Sequence, residues 1–356
     1  LLEPGGGASL RRHEHFHLDI PLPPSPRPGP AAGATGLQAQ SAATAWSRAP
    51  DLPVAVQEIY PAVHGGRIYV AGGVSSELPA AQGHVSAALQ VFDPALQRWS
   101  LGPELPVPRH HAQLISVAQR LYLFGGFERC AGGDWCATDS VLRLDEAAGR
   151  WETVGRLPLP LTESSLLAEG PRVHLLGGRS PRGAANAQWG DHEDRAEHLV
   201  YDTRDGRSRR LPRLPERKSS TAAVRLDDGW LYLVGGREAQ GANSTTLHAF
   251  DPLHGRWQAL PPSPQAQAAH ASVALGTRLC SFGGEYADAQ GAGVLDLVQC
   301  YDSYRQGWQQ PLRLPEARHG LGAVLLGDWL YVIGGAARPG LAATRARVDR
   351  LPRAAL

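Results

Sequence analysis

RLYLFGG, residues 120–126, is a short apolar run closed by two glycines. Five such residues suit a β-strand buried on both faces, and Gly-Gly permits the tight turn and close packing that end it. The same arrangement recurs with its first glycine at Gly72, Gly125, Gly177, Gly235, Gly283 and Gly334. Each copy is followed by an apolar residue and an aspartate, at Asp93, Asp145, Asp202, Asp251, Asp302 and Asp349. Six residues after the aspartate stands Trp99, Trp151, Trp257 or Trp308, with Ser208 in the third copy. Seven residues further on comes Pro106, Pro158, Pro215, Pro264 or Pro315.

The spacings separate frame from loop. From proline to Gly-Gly the count is 19 in five copies and 20 in one, whereas from Gly-Gly to aspartate it runs 21, 20, 25, 16, 19 and 15. Length variation therefore gathers in the connection between the second and third strands of each repeat, the longest being 177–202. A period near fifty residues with four short strands reads as a β-propeller of six blades. The sixth copy has no tryptophan six residues after Asp349 and no proline seven beyond that, but Trp46 followed by Pro53 supplies that piece at the other end. The spacing thus predicts a ring closed by an N-terminal strand around Trp46, which completes the last blade and covers its edge.

These glycines, aspartates and tryptophans resemble the Kelch repeat, within the wider superfamily of galactose-oxidase-like propellers. The resemblance covers residues 43–356 and departs from the pattern only at Ser208. Residues 1–42, rich in proline, glycine and alanine, are expected to be a disordered or loosely attached leader. Within it, His13, His15 and His17 share one side of an extended segment, where a solvated tail is the default.

Composition excludes several classes. The apolar share is 42%, the charged share 19% and the formal net charge +1, which leaves no electrostatic footprint for nucleic acid. No apolar stretch is long enough to span a bilayer. Methionine is absent, so a leader is expected to have been removed. Cys130, Cys136, Cys280 and Cys300 fit two local disulfides and a periplasmic or secreted protein; four buried thiols and a cytoplasmic location remain the alternative.

Antiparallel strands put the entry to strand one and the loop leaving strand two on one face, the mouth of the central channel. There the segments after the prolines place Glu58, Arg109, His110, His111, Glu163, Arg217, Lys218, His270, Arg318 and His319. The cationic members, with Trp189 and His192 from the long third loop, suit a protein or a small anionic or carbohydrate ligand. The cluster His192 to His198 has no metal-site spacing: Ala196 stands four beyond His192, where a zinc-protease helix needs histidine. No cofactor or metal is expected, and a monomeric binding module without catalysis is the preferred reading. The resemblance also allows an enzyme similar to the six-bladed Kelch sialic acid mutarotases. In it Glu58 or Glu163 beside His110, His111 or His319 would form the acid–base pair. A galactose-oxidase-like copper centre is disfavoured, because no tyrosine flanks His110 and His111 and the cysteines lie elsewhere.

Overall fold

The computed structural model describes residues 46–238, 242–288, 291–309 and 312–356. The histidines of the N-terminal segment lie outside the described residues. Residues Thr44–Leu356 form one compact unit.

Among the described residues, six antiparallel sheets of four or more strands organise this unit, with smaller hairpins beside them. The first runs Ala62–His64, Arg67–Ala71, Leu89–Asp93, Arg98–Leu101. The second runs Gln113–Val117, Arg120–Phe124, Ser140–Asp145, Arg150–Arg156, and the third Ser165–Glu169, Arg172–Leu176, His198–Asp202, Arg207–Arg210. The fourth runs Ala222–Arg225, Leu231–Val234, Leu247–Asp251, Arg256–Leu260. The fifth runs Ala271–Leu275, Arg278–Phe282, Leu297–Asp302, Gly307–Trp308, with Leu312–Arg313 also on its third strand. The sixth joins Gly322–Leu326, Trp329–Ile333 and Val348–Pro352 to Ser47–Ala49, whose Arg48 lies opposite Asp349. Each sheet's first strand packs against the first strands of two others, so that the contacts run from first to sixth and back to the first.

The core is divided accordingly. Ile68, Val70 and Phe92 of the first sheet pack on Tyr331 and Ile333 of the sixth. Leu121, Leu123 and Leu142 of the second pack on Tyr69, Ala71 and Leu89 of the first. Four further clusters fill the remaining interfaces. The tryptophans belong to these interfaces: the indoles of Trp99, Trp151, Trp257 and Trp308 donate to the carbonyls of Pro50, Pro103, Pro212 and Pro261 on the preceding repeat. Ser208 sits opposite Tyr201 instead. The phenol of Tyr201 reaches so close to Gly155 that a Cβ there would stand 2.2 Å from its oxygen. The third repeat therefore fills with a tyrosine the interface that elsewhere receives an indole, and Tyr201 is fully buried.

Two cysteine pairs are cross-linked, Cys130–Cys136 across one hairpin and Cys280–Cys300 between neighbouring strands of the fifth sheet. No helix among the described residues is long and apolar enough to cross a membrane.

Candidate functional site

The approach to each first strand follows one plan, counted from the proline. The fifth residue after it is Glu58, His111, Glu163, Ser220, Ala269 or Gly320, and all six have positive φ, between 49° and 58°. Their backbones are joined head to tail. The amides of His111, Glu163, Ser220, Ala269 and Gly320 donate to the carbonyls of Glu58, His111, Glu163, Ser220 and Ala269 in turn, and Glu58 donates to Gly320, at 2.7–3.4 Å. A left-handed residue with a side chain costs on the order of 1 kcal/mol. Each of these inter-sheet hydrogen bonds returns a similar amount. The hoop divides the central space into a cavity of about 370 Å³ lined by the first strands and a cup of about 340 Å³ beyond. Between them lies a gap of only about 10 Å³.

The cup is lined by Glu58, His84, His110, His111 and His319, with Asp134, Trp135, Trp189, Arg237 and Glu285. Strand entries and loops leaving second strands thus meet on one face. The hairpin Phe127–Cys130/Gly133–Ala137 carries Asp134 and Trp135, and the long third loop carries Trp189 beyond the paired Arg179–Pro181 and His192–Asp194. The two indoles meet edge to face, with centroids 5.2 Å apart.

A buried charge network forms the floor. Glu58 Oε2 lies 3.1 Å from His111 Nε2, and Glu58 Oε1 lies 3.5 Å from His319 Nδ1. Arg237 reaches Glu163 at 3.0 Å and Glu285 at 2.6 Å and donates to Ser220 Oγ. Burial alone would raise the Glu58 pKa, but the attraction and hydrogen bond of His111 hold it well below the carboxylate range. Burial opposes charge on His111, yet Glu58 raises its pKa above the usual imidazole value. His110 is pushed down to about 3 by burial and then by His111, so it is neutral. Among the described residues no group of three or more His, Cys, Asp or Glu side chains is placed to hold a metal ion.

Several expected ligand contacts are placed differently. Arg109, Lys218 and Arg318, the third residues after their prolines, are buried and turned into their own sheets. Arg109 donates to the Gly125 carbonyl and Ser140 Oγ, Arg318 to the Gly334 carbonyl and Asp349, and Lys218 to Ser244 Oγ. The two arginines satisfy the carbonyls left open where Gly-Gly turns away. Arg217 is half exposed and pairs with Glu193 at 3.1 Å, outside the cup. His192 is buried between the Gln188 carbonyl and Asn186 Oδ1, so of the long loop's two candidates only Trp189 reaches the cup. Glu163 lies fully buried under Arg237.

His270 lies on the far side of the hoop, wedged towards Gly235 of the fourth sheet, with neither ring nitrogen hydrogen-bonded. Burial pushes its pKa down to about 4, and burial likewise takes His198 to about 3. A depressed histidine stays neutral in the fold while the unfolded chain takes up a proton. Stability is therefore lost as pH falls from about 6.5 towards about 4. Ile59 and Leu321 occupy the equivalent position in two other repeats, so His270→Leu is expected to fold. Between pH 7 and 5 the variant should lose about 2 kcal/mol less stability than the parent in urea titrations. Parallel profiles for the two proteins would show that His270 is not held neutral.

Sequence reasoning missed His84, Asp134, Trp135, Arg237 and Glu285. The last two had a signal: Val74, Phe127, Arg179, Arg237, Glu285 and Ala336 each directly follow Gly-Gly and pair with the fourth residue after a proline.

Two stretches, 61–106 and 108–158, match the Kelch motif. The chain is a Kelch-repeat protein. This Kelch protein is 24% identical over 301 residues to Kelch-like protein terF of Aspergillus terreus, covering 82% of this chain and 64% of that one. It is 22% identical over 279 residues to beta-scruin of Limulus polyphemus, covering 75% and 29%. With human Kelch-like protein 34 it shares 28% over 207 residues, covering 58% and 24%. It therefore spans under two thirds of the length of each of these relatives.

Proposed function

We propose that this Kelch protein is a six-bladed propeller closed by its N-terminal strand, and that it binds a protein partner through the cup without catalysis. The observation that carries the binding reading is the pair Trp135 and Trp189. Two unrelated loops deliver partly exposed indoles to the mouth of one polar concavity, and tryptophan is the residue most enriched at interface centres. The relatives, several named Kelch-like proteins, favour the same reading. The cup does bring Glu58 beside His111 and His319, the pair the mutarotase alternative would use, but none of the relatives named above is a mutarotase. The paired cysteines favour an exported protein, and we retain the monomer as its working state.

The double variant Trp135→Ala/Trp189→Ala tests the site. Proteins retained from an extract of the source cells by the immobilised parent should be lost, while melting stays within a few degrees. Leu253→Ser, at an exposed turn remote from the cup, should retain them. Equal retention by all three proteins overturns the reading.

Closure makes a separate prediction. Trp46 packs on the sheet-five and sheet-six cluster and donates to the Arg313 carbonyl at 3.0 Å. Trp46→Ala should lower stability by about 2 kcal/mol in denaturant, as for a partly buried indole. A cost no larger than that of an ordinary surface substitution would argue against closure by this strand.

A further inference from the structure

We propose that the cup recognises a cationic side chain, lysine or arginine, presented by the protein partner, the opposite charge to the ligand that the arginine-rich strand entries suggest. This rests on the protein-binding reading above.

The first support is charge balance. Glu58, Glu285 and Asp134 line the cup and Glu163 lies directly beneath it. The groups that pair with them are Arg237, Arg129, His111 and His319. Four carboxylates thus face two arginines and two histidines, so the permanent positive charge is two short of the negative. His84, His110 and His319 complete the titratable lining. Arg237, among the described residues the one arginine lining the cup, is already held between Glu163 and Glu285, so it has little left to offer an anion.

The second support is geometric. Glu58 Oε1 and Glu285 Oε2 both face His319 Nδ1 across 3.5 Å, and no hydrogen bond joins either to it. Two carboxylates thus flank the His319 ring, and an ammonium or guanidinium entering beside it from the cup can donate to both. The third is aromatic. Trp135 and Trp189 line the cup with these carboxylates, and the Arg179 guanidinium 4.0 Å from the Trp189 ring centroid shows that ring already holding a cation, which leaves Trp135 for a ligand. Indole faces attract cations and do nothing for a carboxylate. A single extended side chain fills part of a cup of about 340 Å³, and the two hairpins carrying the indoles can seat the backbone on either side.

The test uses acetylated, amidated tripeptides Gly-Arg-Gly, Gly-Lys-Gly, Gly-Gln-Gly and Gly-Glu-Gly, and n-butylammonium chloride, titrated into the protein by NMR. The arginine and lysine peptides should bind at least about fivefold more tightly than the glutamine peptide, with the glutamate peptide weakest and the preference shrinking as salt rises. Glu285→Gln should cut the preference for the arginine peptide about fivefold. Asp134→Asn, at a half-exposed position, serves the same purpose should the first variant not fold. Tighter binding of the glutamate peptide, or no discrimination by charge, overturns the proposal. Butylammonium binding as tightly as the peptides would assign the site to a free amine instead. Should the peptides show no preference while the double tryptophan variant still loses its proteins, the charge inference alone fails.

Discussion

Replacing Gly125 by alanine is expected to cost about 3–5 kcal/mol of stability, enough to unfold much of the population under mild denaturant. Gly125 has φ +56°, and a Cβ built on it would stand 1.9 Å from the Leu161 carbonyl oxygen. That oxygen belongs to the approach to the third sheet and accepts the Gly126 amide at 3.0 Å. The methyl group cannot be accommodated by turning a side chain; one sheet must move off the next, breaking that hydrogen bond and loosening the core behind it. Gly149 provides the control. Its φ is +63° but nothing lies within 4 Å of its Cβ position, so Gly149→Ala carries only the left-handed strain, about 1 kcal/mol. Urea titration of both variants separates the two contributions. Equal losses would mean that close approach between sheets is not what the Gly-Gly pair provides.

Arg318→Met is expected to cost about 3–5 kcal/mol, because it leaves a buried carboxylate with half its partners. Arg318 has no exposed surface and Asp349 is 1% exposed. They meet at 2.7 Å, and the same guanidinium donates to the carbonyls of Gly334 and Arg347. Burial lowers the Arg318 pKa to about 10, which leaves it charged at neutral pH. Arg347 holds Asp349 from the other side and softens the loss. Adding Asp349→Leu should recover part of it, since removing both charges also removes the unpaired one. Arg109→Met should cost less, because its partner Glu128 is partly exposed. Should Arg318→Met keep full stability and lose only peptide binding, Arg318 belongs to the ligand site after all.

The frame was legible because Gly-Gly, aspartate, tryptophan and proline recur at fixed distances, and those distances are set by strand length and sheet packing. The face that carries the site was legible as well, from antiparallel alternation and the variable loops. Which side chains point into the cup was not. In a regular strand Arg109 and His111 would share a side, and Arg318 and Gly320 likewise. The left-handed residue at the fifth position rotates the chain, so the third residue dives into its own sheet while the fourth and fifth turn to the cup. Only a break in φ decides this, and nothing in Glu58 or His111 as residue types announces a positive φ. Trp135 was obscure for another reason: its hairpin looks like a cysteine-bearing turn until the strands on either side are paired.

The hoop of six amide-to-carbonyl bonds has one more implication. Its links are purely main-chain, and in this single molecule they are made by glutamate, histidine, glutamate, serine, alanine and glycine. A joint that accepts acid, base, hydroxyl, methyl and hydrogen alike is indifferent to what is mounted on it. Fastening and display are thus assigned to different atoms of the same residues. The six mounting points can be recharged one at a time, as a socket is rewired, while the housing stays bolted together.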